Sequence, residues 1–143
     1  MKILIIALMT VITMFVCFFY KRLATLGSDE SFHVVGRWTP SIVGMTFSIA
    51  LSILLLVNEM PMLLPVVLFI FSLIWLYVNM SPIIIVNGED AVCVTFKGRK
   101  PMNKDKMDFV FTPTQIIFNV EKQPISVYKD SINYDKFRNW LGL

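Results

Sequence analysis

Few residues in this chain have the types and spacing to do chemistry. Glu30 and His33 stand at Glu-x-x-His spacing, which on facing helices supplies carboxylate-bridged metal sites. Such a site needs a second copy of the motif and further carboxylates, and His33 is the chain's 1 histidine. It is expected to be an exposed loop residue, not a ligand. Cys17 lies in an apolar run and Cys93 in a polar tail. Settings this different argue against a disulfide and for two small buried apolar residues. No glycine-rich phosphate loop, nucleophile elbow, Cys-x-x-Cys or His-Glu-x-x-His occurs. The expectation is a non-enzymatic protein with no cofactor, no metal and no small-molecule substrate.

The stretch "TFKGRKPMNKDKM", Thr95 to Met107, is chemically distinctive in another way. It gathers Lys97, Arg99, Lys100, Lys104 and Lys106 around a single acid, Asp105. Such a run can hold nucleic acid, attract lipid headgroups, or fix the side of a membrane on which a segment stays. Nucleic acid is the poorest fit. From Ser81 onward nine basic residues face seven acidic ones, and no aromatic lies between Lys97 and Lys106 to stack a base. Attraction to anionic lipid is worth about 1 kcal/mol per base near a surface. Fixing an orientation requires only the right place in the chain.

That place is set by three apolar runs, Ile3–Tyr20, Thr39–Asn58 and Met62–Met80, none with a charged residue. Each is long enough, or nearly so, for a helix to cross a hydrocarbon layer of about 30 Å. One central Lys or Asp would cost about 2.5–3.5 kcal/mol on insertion, so clean runs of this length predict three transmembrane helices. They also leave a proton or ion relay no group to run on. The first run is long for a signal-peptide core, and Tyr20, Lys21 and Arg22 follow it where small residues would mark cleavage. An uncleaved helix is expected. Gly44, Ser48 and Ser52 recur every four residues in the second run. A small-residue stripe lets helices approach, here against a neighbour in the same chain or, alternatively, across a homo-oligomer seam.

The connecting segments predict the orientation. Lys21–Trp38 carries Lys21, Arg22 and Arg37, whereas Asn58–Met62 carries Glu59 and no base. Cytoplasmic loops are rich in Lys and Arg. Three spans then place the N-terminus outside and residues 81–143 in the cytoplasm of a bacterial cell, beneath its inner membrane. Tyr20, Trp38, Trp75 and Tyr77 would anchor that same side at headgroup level. In this frame Lys97–Lys106 is expected to be a solvated, orientation-fixing loop, with lipid contact as its second reading and Met102 as the one apolar residue available to insert.

Residues 1–80 thus form the membrane region and residues 81–143 a small α+β domain. Asn87-Gly88 between two β-branched runs predicts a hairpin with a type I′ turn and positive φ at both residues. Alternation continues through Val92, Val94 and Phe96, then Met107, Phe109 and Phe111, then Ile116, Phe118 and Val120. Glu121–Pro124 turns the chain into Ile125 and Val127. Tyr134, Phe137, Trp140 and Leu141 fall on one side of a short helix, with Asn133 as its expected cap. Five strands and a closing helix result. A domain this small buries a limited core, so the membrane surface or a second copy is expected to support it.

A hairpin, an isoleucine-rich strand and a Ser/Asp-led helix in "TQIIFNVEKQPISVYKDSINYDKFRNWL", Thr114 to Leu141, resemble the small bacterial membrane proteins with a C-terminal pleckstrin-homology-like domain. The resemblance covers the last sixty residues or so. It implies an interaction module for a protein partner or the inner leaflet, not an enzyme. A different class also fits a small, basic, multi-span chain without catalytic groups. It is an immunity protein against a membrane-active bacterial toxin, in which the spans would be the working surface.

Overall fold

A computed structural model describes residues 1–143. Three helices, α1 (Lys2–Thr25), α2 (Trp38–Val57) and α3 (Leu63–Met80), are long and apolar enough to cross a membrane. At 24, 20 and 18 residues they span about 36, 30 and 27 Å. Pro40 and Pro65 fall in the first turns of α2 and α3, where a missing N–H leaves no helical bond unmade. α1 continues past Tyr20 through Lys21 and Arg22, a favourable place for cations beside the last carbonyls.

α2 and α3 pack closely because small residues line their contact. A Cβ added to Gly44 would lie 2.6 Å from Trp75 Nε1, so the indole occupies the space that glycine leaves. Ser52 and Ser72 are fully buried and return their hydroxyls to their own helices, on the carbonyls of Ser48 and Phe69. Of the stripe Gly44, Ser48 and Ser52, Gly44 is the residue that meets α3, at Trp75.

The rest is a small antiparallel α+β domain. One sheet has the order β4-β3-β2-β1-β8, from β1 (Ser31–Arg37), β2 (Ile83–Asn87), β3 (Asp90–Thr95), β4 (Gly98–Met102) and β8 (Ser131–Ile132). The second is β5 (Phe109–Phe111), β6 (Gln115–Val120) and β7 (Gln123–Tyr128), and α4 (Tyr134–Trp140) closes the domain. Inward residues of both sheets and α4 form one core. Phe32, Val34, Ile84, Val86, Cys93, Ile116, Phe118 and Phe137 are each at most 2% exposed within it. The expected inward faces of β6, β7 and α4 are those observed.

Four expectations change. The boundary at residues 80 and 81 does not separate the two parts. Ser31–Arg37, expected as loop, is an interior strand between β2 and β8, so the domain has eight strands rather than five. Its Phe32 and Val34 enter the domain core, while Val35 on the other face joins Tyr20, Ala24, Met45, Leu76 and Met80. One strand thereby fuses the two cores.

The first hairpin loop is Gly88-Glu89, not Asn87-Gly88. Asn87 pairs with Asp90, Gly88 has φ 62°, and Glu89 is not at positive φ, the pattern of a type II′ turn. The expected loop would have set Glu89 opposite Val86 on the inward face. The observed register sets Ala91 there and leaves the Glu89 side chain 82% exposed, which avoids burying a carboxylate. The type I′ turn occurs instead at Glu121-Lys122, with φ 48° and 67° between the paired Val120 and Gln123.

Asn133 precedes α4 but its side chain does not cap it. Its Nδ2 donates to the carbonyls of Ala24 at 2.8 Å and His33 at 2.7 Å, while its backbone sits at φ 62°. Lastly, His33 is no loop residue. It is half-buried in β1 beside Ile85, with a buried Nδ1 that has no hydrogen-bond partner.

Candidate functional site

The five basic residues of Thr95–Met107 do not form one loop. They lie along the β3–β4 loop, β4 and a following 3₁₀ turn, Lys104–Lys106, which Asn103 caps by accepting from the Asp105 amide. β2 leaves the end of α3 at Ile83, so Ile83, Thr95 and Gly98 mark the helix-proximal end of the sheet. Asn87, Asp90 and Met102 mark the far end. The antiparallel ladder thereby sorts the bases by height.

Lys97 is at the helix-proximal end, in the two-residue loop Phe96-Lys97 between the paired Thr95 and Gly98. Thr95 holds this tip, its Oγ1 accepting from the Lys97 amide and donating to the Gly98 carbonyl. Arg99 follows, exposed. Neither makes an ion pair. Lys100 is half-buried in mid-strand, 3.1 Å from Glu121 Oε2 and 3.3 Å from Gln123 Oε1. Lys104 at the far end pairs with Glu89 and lies 5.6 Å above the Trp140 ring. Lys106 is exposed at the end of the 3₁₀ turn. Two of the five therefore pair with carboxylates of the domain, and two stand unpaired at the helix-proximal end of the sheet.

Met102, the residue expected to be available for insertion, is in the core at 4% exposure. Phe96 takes that position. It is 62% exposed, and its ring meets Tyr77 in the last turns of α3 edge-on, with centroids 4.9 Å apart. The contact holds the β3–β4 tip against a helix that is apolar to its end. Phe96 directly precedes Lys97–Lys106 in sequence. Its place in a strand that meets a helix end is a tertiary fact with no local signal.

In sequence Arg37 signals only a topological charge. The structure places it where β1 becomes α2, with Nε 3.3 Å from both carboxylate oxygens of Asp130 and Cζ 4.5 Å from the centroid of Tyr128. The alternation of Phe32 and Val34 in "SFHVVGR" was the available sign that this segment is a strand. Glu30 and His33 gather no further ligands, and no group of three His, Cys, Asp or Glu residues comes together anywhere in the chain. Burial pushes the Cys93 thiol up to about 11, against the opposing pull of the Lys100 charge, so it is a core residue and not a nucleophile.

Compared with protein-family models, curated proteins and solved structures, the chain finds no match.

Proposed function

We propose that the chain is a non-enzymatic, multi-pass protein of a bacterial inner membrane whose cytoplasmic, pleckstrin-homology-like domain engages the inner leaflet beside its own helices. The observation that carries this reading is the Phe96–Tyr77 contact. It holds an exposed aromatic and an unpaired Lys97 at the level of the last turns of a helix apolar enough to span. An exposed ring beside an unpaired cation matches the boundary between acyl chains and anionic headgroups. The charge distribution supports the orientation. Lys21, Arg22, Arg37 and nine later bases share the domain's side, and the α2–α3 turn has Glu59 alone.

Depth measurement tests this. A spin label at Lys97→Cys in the reconstituted chain should collide with a lipid-soluble relaxant at interfacial depth. A label at Lys106→Cys should see the aqueous relaxant. Equal aqueous exposure at both sites would remove the leaflet reading.

A further inference from the structure

We infer that the groove where α3 enters the domain binds the headgroup of one anionic phospholipid, with the Arg37 guanidinium on its phosphate. The inference rests on the membrane reading above and adds a ligand class and a site to it.

The groove consists of two adjoining cavities, about 160 and 340 Å³, that share Val78, Ser81, Pro82 and Ser126. One end is closed by Arg37, Tyr128 and Ser131, the other by Thr95 and Phe96. Val78 is in the last turn of α3 and Ser81 directly follows it. In a bilayer spanned by α3 the groove therefore lies at headgroup level.

Its polar groups are arranged for an acceptor-rich ligand. Asp130 engages Arg37 through Nε alone, and Tyr128 supports the guanidinium from its face. The two terminal nitrogens make no hydrogen bond within the chain, so a planar donor fork is held in place without a partner. Ser81, Ser126 and Ser131 line the same cavity, and none of their hydroxyls joins a hydrogen bond within the chain. Ser131 is a buried polar residue, 8% exposed, in the wall of this cavity. A phosphodiester offers only acceptors, which complements a site of unmatched donors.

Two features favour lipid over free phosphate. Beneath Val78, the exposed side chains of Ile74, Phe71 and Val67 continue down the outer face of α3, an apolar track that an acyl chain can follow. Lys97 beside Phe96 at the other end adds positive potential that offsets Asp130 and selects an anionic headgroup over a zwitterionic one.

Native mass spectrometry of the full chain released from micelles tests the site, with phosphatidylglycerol, phosphatidylcholine and inorganic phosphate as probes. One phosphatidylglycerol should be retained, about tenfold more strongly than phosphatidylcholine and unaffected by millimolar phosphate. Arg37→Gln should weaken retention by about tenfold or more, the loss of one charge-assisted contact. Ser126→Leu fills the groove from its rim, leaves the Arg37–Asp130 pair in place, and should weaken it as well. Lys106→Gln should change nothing. Wild-type retention in a folded Ser126→Leu or Arg37→Gln protein would overturn the site, as would equal retention of phosphatidylcholine. Displacement by inorganic phosphate would overturn the lipid assignment. A chain that stays soluble without detergent would instead overturn the membrane reading, a result distinct from all of these.

Discussion

The side-chain amide of Asn133 donates to the carbonyl of Ala24 at 2.8 Å, joining the residue before the last helix to the last turn of the first. The same nitrogen also reaches His33 in β1. One residue thus links the membrane helix, the interior strand and α4. Its backbone at φ 62° is one that asparagine tolerates better than most residues. Asn133→Ala should lower the stability of the detergent-solubilised chain by about 1–3 kcal/mol, read as a fall in thermal midpoint. Asn133→Gly relieves the backbone but loses both bonds, and should also be destabilised. A Gly variant as stable as wild type would show that the side-chain bonds contribute nothing.

The interior position of β1 predicts that residues 81–143 do not fold alone. Without Ser31–Arg37, β8 has no pairing partner, β2 becomes an edge, and Phe32 and Val34 leave the core. A domain of this size has little stability in reserve. The fragment should give poorly dispersed amide spectra, and the Ser31–Arg37 peptide should restore dispersion in trans. A well-dispersed spectrum from the bare fragment would contradict the topology.

At the first hairpin, the two residues of Asn87-Gly88 should respond differently. Gly88 has φ 62° and open space around its α-carbon, so Gly88→Val meets no clash and its cost is backbone strain alone. That cost is more than about 1 kcal/mol. Asn87 is an exposed strand residue, and Asn87→Val should be tolerated within about 0.5 kcal/mol. Equal sensitivity at both positions would indicate a type I′ turn after all.

These cases show which features local sequence carries. The three spans were legible because insertion energetics acts on composition over some twenty residues. The inward faces of β6, β7 and α4 were legible because burial imposes a period on each element. Three features depend on what the other side of the core supplies, and these were not legible. Ser31–Arg37 has a strand's alternation, but it is short and framed by two long helices, so nothing nearby identifies its partners. The turn at Gly88 is displaced because Ala91 and Cys93, not Glu89, fill the space beside Val86 and Ile84. The groups around the end of α3 are scattered in sequence: Arg37 meets Tyr128, and Phe96 meets Tyr77, only through the order of strands in two sheets.

Cys93 offers a pH test. Its folded thiol is pushed up to about 11 from 9.0, chiefly by burial. The unfolded chain releases that proton first, so stability is unaffected below about pH 9 and falls as pH rises from there towards 11. Cys93→Ala should flatten this alkaline fall, at the expense of some core packing at all pH values. Maleimide should not label Cys93 in the folded chain at pH 8 and should label it on unfolding. Rapid labelling of the native protein would show that the β2–β3 core opens more readily than its burial implies.

The last prediction separates the five bases by height. Lys100 is held between Glu121 and Gln123, and Lys104 by Glu89 at the far end. Replacing these two with Gln should cost stability only, and less than about 1 kcal/mol each, since both carboxylates are exposed. Lys97 and Arg99 are exposed, make no ion pair and lie at the helix-proximal end of the sheet. Near an anionic surface each should add about 1 kcal/mol of attraction. The double variant Lys97→Gln, Arg99→Gln should therefore co-purify with less phosphatidylglycerol from mixed nanodiscs, at unchanged thermal midpoint. The wild-type enrichment should fall with salt, because the screening length is about 8 Å at physiological ionic strength. Orientation should survive, since Lys21, Arg22 and Arg37 remain on the same side. An equal loss of enrichment from Lys100→Gln, Lys104→Gln would mean that the domain's total charge, not the height of its tip, governs lipid contact. Inverted topology in the Lys97, Arg99 double variant would return the stretch to the purely orienting role expected of it in sequence.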